Sequence, residues 1–257
     1  MLLRSDILTA AEGEAVGVDN PQGAGVALLV CEHASQRLPA SVGDLGLDEQ
    51  ALSSHIAWDP GALAVARALS AHLDATLVHQ RFSRLVYDCN RPPEAPAAMP
   101  EVSEIYEIPG NRDLSPAERY ARTAALYVPF HDRIAAIIAD RTAGGRQTVL
   151  VTVHSFTPVY LGKPRAVEIG ILHDTDRRLA DAMLAAAEGG PFRVERNSPY
   201  GPEDGVTHTL RLHGLPHGHL NVMIEVRNDL IADTVGQGVM ADYLAGLIRA
   251  AISTCQQ

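Results

Sequence analysis

The chain has 257 residues, 46% hydrophobic and 20% charged, a composition that excludes a disordered protein and suits one sizeable α/β domain. Its formal net charge of -10 argues against nucleic acid or an anionic membrane surface as principal partner. The three cysteines, Cys31, Cys89 and Cys255, lack CxxC spacing and read as free thiols; with no signal-peptide pattern and no apolar stretch of membrane-span length, a cytoplasmic location is expected.

In chain order, residues 1–24 are polar and read as a lead-in or edge strand. Val26-Ala-Leu-Leu-Val-Cys31 is a short apolar run that stops at Glu32-His33, the pattern of a central strand in a parallel sheet. After a loop with Pro39, Gly43 and Gly46, Trp58-Asp59-Pro60 opens a helix, with Asp59 suited to the N-cap and Pro60 to the first helical position. Residues 75–79 read as a second strand and residues 84–88 as a short apolar piece. Residues 91–114 hold five prolines and form a long loop, a kind of segment that is commonly functional. Ser115-Pro-Ala-Glu118 is a capping box. The helix it starts runs through Leu126, Phe130, Ile134 and Ile138, kinks at Pro129 and stops at Gly144-Gly145. Residues 148–153, 166–172 and 220–226 read as further strands, 175–187 and 235–252 as helices, and 189–205 as a second irregular stretch. The alternation has no break in composition, so it predicts one doubly wound α/β domain over residues 1–257.

His33, His154 and Glu225 each end or follow an apolar strand, and open α/β sheets gather such residues at one rim. Two imidazoles and a carboxylate are the donors a catalytic zinc takes; for any one histidine, a structural role is the alternative. A carboxylate inside Val-Met-Ile-Glu225-Val needs a partner, a metal or a proton. Asp59 is either a helix cap or the acidic ligand, and His55 is a weaker candidate. Glu32, next to His33, would face the other side of an extended strand. Asp88-Cys-Asn90-Arg91, with Arg84 upstream, either grips a substrate carboxylate through the guanidinium fork or makes surface ion pairs before the turn at Pro92. His208, His213, His217 and His219 lack zinc-finger spacing and read mostly as surface residues. Arg211 among them could meet a second substrate anion.

Together these segments resemble the N-formylglutamate amidohydrolases. The matching pieces are Cys31-Glu-His33-Ala-Ser, His55-Ile-Ala-Trp-Asp59-Pro-Gly, Arg84 through Asp88-Cys-Asn90-Arg91-Pro, and Thr152-Val-His154-Ser-Phe. Asn197-Ser-Pro-Tyr200, Asp204-Gly, Thr209-Leu-Arg211 and Ile224-Glu225-Val-Arg-Asn-Asp229-Leu complete the set. The resemblance implies a mixed, mainly parallel sheet between helices, as in zinc carboxypeptidases and aspartoacylase-type deacylases. It implies one zinc per chain, with His33 and His154 as ligands. The wider superfamily places its second ligand in His-x-x-Glu, but the chain reads His33-Ala-Ser-Gln36; Asp59 is the substitute, with Glu32 in reserve. By the same resemblance Glu225 is the catalytic glutamate, Arg84 assists at the developing oxyanion, and Asn90 and Arg91 hold the substrate carboxylate, with Tyr200 and Arg211 as further binding residues. The substrate would be a small N-formyl or short N-acyl amino acid. A carboxypeptidase-like enzyme, another deacylase or a non-catalytic carboxylate-binding domain are the alternatives.

Overall fold

Seven strands share one sheet in the computed structural model, which describes residues 7–256. In chain order the described residues form eleven strands, β1 (Val16–Asp19), β2 (Ala27–Cys31), β3 (Thr76–Gln80), β4 (Val102–Ser103), β5 (Tyr106–Glu107), β6 (Val149–Phe156), β7 (Val159–Tyr160), β8 (Lys163–Pro164), β9 (Ile169–Leu172), β10 (Val194–Arg196) and β11 (Leu220–Arg227), of which β4-β5 and β7-β8 pair apart from the main sheet. The helices are α1 (Glu49–Ser53), α2 (Ala62–Leu73), α3 (Pro116–Arg122), α4 (Val128–Ala143), α5 (Arg178–Ala187) and α6 (Thr234–Cys255). Among the described residues no helix is long and apolar enough to cross a membrane.

The sheet order is β1-β3-β2-β6-β11-β9-β10. Its centre, β3-β2-β6-β11, is parallel throughout. Every residue of β2 is buried because helices cover both faces. Leu29 and Cys31 face α2, α5 and α6, while Leu28 and Val30 face the layer that holds α4. From β2 the chain moves to β3 on one side, then returns to β6 on the other. The carboxyl ends of β2 and β6 therefore flank a topological switch point, where such sheets open a crevice.

Several local features depart from the sequence pattern. The helix after Trp58 starts at Ala62, with Gly61 as its N-cap at φ 81°. A Cβ on Gly61 would lie 2.5 Å from the Ile231 carbonyl oxygen, so chain packing selects the glycine and leaves the Asp59 side chain free for other partners. Ser115 makes its capping box, but the helix beyond is split by a π-helical turn over Thr123–Tyr127 before α4. Pro129 carries no N–H for the ladder, and the wider turn ahead of it absorbs that loss. The strand over residues 166–172 shortens to β9 and runs antiparallel to β11. Only a hairpin, and no helix, separates it from β6, whereas a parallel neighbour needs a crossover. Gly170 of β9 lies in register with Glu225; a Cβ there would come within 2.0 Å of the Ser198 carbonyl oxygen.

The His213 side chain is buried, not on the surface. The π-helical turn Leu210–Gly214 carries it against α4, where its Nε2 lies 2.9 Å from Nδ1 of His131.

Candidate active site

β2 ends one residue short of Glu32, so Glu32 and His33 sit in a turn and not in an extended strand. His154 lies within β6, paired in register with Glu225 of β11. Asp59, released from capping, reaches the gap between the two histidines. Its Oδ2 is 3.3 Å from Nδ1 of His33 and 2.9 Å from Nδ1 of His154, and the two Nδ1 atoms are 3.2 Å apart. The three side chains are buried and could together hold a metal ion. A tetrahedral cation with bonds of about 2.0–2.1 Å sets its ligand atoms about 3.3 Å apart, close to the triangle found here.

The outer nitrogens of both imidazoles face carboxylates. Nε2 of His33 is 2.7 Å from Asp88 Oδ1, and Nε2 of His154 is 3.0 Å from Glu32 Oε2. Glu32 thus stands behind His154, on the side away from the triad, and Gln36 is exposed. Arg84 closes the ring, with Nη1 3.4 Å from Asp59 Oδ1 and Nη2 3.0 Å from Asp88 Oδ2. Burial opposes the charge on all three carboxylates, yet their ionic partners hold Asp59, Asp88 and Glu32 below the ordinary carboxylate range. Burial would likewise push His154 down, but Glu32 and Asp59 hold it well above the ordinary imidazole value. With neutral imidazoles, three buried carboxylates face one guanidinium, and the surplus charge matches a divalent cation.

Glu225 differs from these three. Burial pushes it up to about 7, although His154, His33 and Arg84 pull the other way. Its Oε2 is buried and has no hydrogen-bond partner among the described residues. The carboxyl group borders a cavity of about 320 Å³ that His33, Asp59, His154, Arg84, Asn90, Arg91 and Tyr200 also line. The structure therefore brings together every site residue expected from sequence except one. Arg211 lies outside, exposed, 3.9 Å from Asp174, in a neighbouring depression that shares Arg91 and Asp204 with the cavity.

Asn90 lines the cavity, yet its amide already bridges two segments: Nδ2 donates to the Val206 carbonyl, and Oδ1 accepts from the Thr209 N–H. Among the described residues the Arg91 side chain makes one hydrogen bond, from Nη1 to the Asn90 carbonyl at 2.9 Å. His55 meets Glu104 at 3.0 Å on the rim. Sequence reasoning missed the backing roles of Asp88 and Glu32, and also Phe156 and Tyr160, which join the expected Tyr200 in an aromatic wall. A buried-strand histidine with no apolar function was the available signal for the first; Tyr160 had none, because β7 is only two residues long, and Phe156 reads as the apolar end of β6.

Over residues 26–232 the sequence matches the N-formylglutamate amidohydrolase family, a span that contains all of the residues just described. The chain belongs to that family. Family membership makes the protein an amidohydrolase and fits a small-molecule substrate. A crystal structure of a gene product from Agrobacterium tumefaciens is 66% identical in sequence, with a TM-score of 0.97, covering 98% of this chain and 100% of that one. The crystal structure of an N-formylglutamate amidohydrolase from Ralstonia eutropha JMP134 shares the fold at 18% identity and a TM-score of 0.63, over 94% of this chain and 98% of that one. Among curated proteins no match was found.

Proposed function

We propose that this amidohydrolase is metal-dependent, with zinc as the fitting ion, and cleaves the amide of an N-formyl or short N-acyl amino acid. The observation that carries the reading is the buried triangle of donor atoms from His33, His154 and Asp59, beside a glutamate with an unengaged oxygen. A bound divalent cation would polarise the amide carbonyl and bring the pKa of a water towards about 7.

The chain's own groups account for the remaining steps. Glu225, ionised in part near neutral pH, takes the proton of the attacking water and returns it to the departing amine. Asp88, hydrogen-bonded to Nε2 of His33, fixes that ring's orientation and tautomer, and Glu32 faces Nε2 of His154 as an ionic partner, leaving both Nδ1 atoms turned towards the ion. Arg84 neutralises Asp59 and Asp88 from the cavity side and leaves part of its fork facing the reacting oxygen. Arg91, unpaired with any carboxylate among the described residues, takes the substrate carboxylate, and Asn90 holds the segment that presents it. Tyr200 supplies a further hydroxyl at the wall. Arg211 lies too far out for a small substrate and would reach only a longer one.

The test pairs metal analysis with formate release, for wild type and His154→Ala. About one equivalent of zinc in the wild type, lost in the variant together with hydrolysis of N-formyl amino acids, is the expected result. A folded wild type that takes up no added zinc and releases no formate would overturn the reading.

A further inference from the structure

Arg165 has no part in the scheme above. It follows the β7–β8 hairpin and enters a cage of three rings. Its guanidinium carbon lies 4.5 Å from the Tyr160 centroid, 4.9 Å from that of Tyr200 and 5.6 Å from that of Phe156. All three rings line the cavity. Nη2 donates to the Tyr200 hydroxyl at 3.0 Å, and Nη1 to the Thr157 carbonyl at 3.5 Å. No carboxylate among the described residues lies within 4.0 Å of it. A half-buried guanidinium held in this way is oriented by stacking and not by an ion pair.

The hydrogen bond to Tyr200 has a direction. A phenol oxygen that accepts from a guanidinium keeps its own O–H to give, and the neighbouring cation makes that O–H a stronger donor. The proton cannot go back towards Arg165, which carries donors only. Groups on the other walls are close enough to act on the phenol. Burial raises Tyr200 and Glu225 raises it further, while Arg165 and Arg84 oppose both. The hydroxyl therefore sits in the electrostatic reach of the catalytic carboxyl and of the arginine facing the donor triangle.

We propose that Arg165 is a positioning residue for the hydrolysis. Acting through Tyr200, it fixes the phenol in the cavity wall and directs its O–H at an anionic oxygen of the bound substrate. The substrate in that statement rests on the amidohydrolase reading; the coupling of the two side chains rests on geometry alone.

Two measurements separate these parts. With tyrosine labelled at the Cζ carbon, the NMR signal missing from Tyr200→Phe identifies Tyr200 among the seven tyrosines. Arg165→Met should move its titration upward, because a cation and a donor that favour the phenolate are gone, while the signals of the five tyrosines other than Tyr160, whose ring Arg165 also covers, stay in place. An unmoved Tyr200 would overturn the proposal whatever the activity. In formate release, Arg165→Met and Tyr200→Phe should each lower kcat/KM about tenfold, and the double variant should be no worse than Tyr200→Phe alone. Losses that multiply would show that Arg165 does not act through Tyr200, and would overturn it equally. Arg165→Lys keeps the cation and should recover part of both effects, which covers a Met variant that fails to fold. A wild type without turnover would sink the amidohydrolase reading, and the NMR result would still decide the coupling.

Discussion

Glu225 is placed where a carboxyl is costly, between His154 and Gly170 on neighbouring strands, and its free Oε2 is what the proposed general base requires. Glu225→Gln keeps the shape and removes the base. We expect zinc content and melting temperature to hold while kcat drops about 10²–10⁴-fold; near-normal turnover would remove Glu225 from the mechanism. Glu32→Gln tests the backing of His154. It should weaken zinc affinity about 10–100-fold, measured by competition with a chelator, where a direct ligand would lose the ion outright. The sequence made His33, His154 and Glu225 legible because a polar residue in or at the end of an apolar run stands out, and three of them together are hard to explain as structural. It did not make Asp59 unambiguous, since Asp-Pro-Gly before a helix reads as a cap. Only the tight approach of Gly61 to Ile231 shows why that aspartate is free. The histidine at 213 was misread for the same kind of reason: its buried partner on α4 is 82 residues away in sequence.

At the scale of elements, apolar runs located the four central strands, and the capping box located the start of α3. Short pieces escaped. β7 and β8 span two residues each, too few for any periodicity, yet they deliver Tyr160 and lead into Arg165. Their two-residue turn puts Leu161 at φ 47° and Gly162 at φ 75°, a geometry in which a leucine is strained by about 1 kcal/mol. Leu161→Asn should therefore raise the stability of the protein slightly without changing activity, as read by thermal melting. Gly170 works in the opposite sense. Gly170→Ala must displace the Ser198 backbone, and with it the segment bearing Tyr200. We expect a loss of about 1–3 kcal/mol and reduced kcat/KM, although residue 170 does not line the cavity; an alanine variant with wild-type kinetics would refute this.

At the scale of the molecule, acid is the vulnerable direction. Burial pushes His131 down to about 3 and His213 down to about 4. His131 Nε2 faces the Cys89 carbonyl at 2.8 Å, so its Nδ1 must accept from His213, and both rings stay neutral in the fold. The unfolded chain binds protons on them near 6.5 and the native chain does not, so stability is complete above about pH 6.5 and falls as pH drops towards 4. Either imidazole taken alone would account for about 3 kcal/mol at pH 4. Denaturant melts across that range should show the decline, and a flat profile would contradict the buried neutral pair.

The donor triangle has a consequence for how the protein is made. His33 and His154 stand 121 residues apart, on opposite sides of the switch point, and Asp59 arrives from the connection between them. No short stretch of the emerging chain can hold the ion, because the pocket of donors exists only after β6 has docked beside β2. The proposed metal would therefore be a seal applied to a finished topology and not a seed for it. Refolding should proceed at the same rate with or without zinc, while unfolding should slow when zinc is present. Stopped-flow traces in chelator and in zinc would show one arm of the chevron moving and the other standing still.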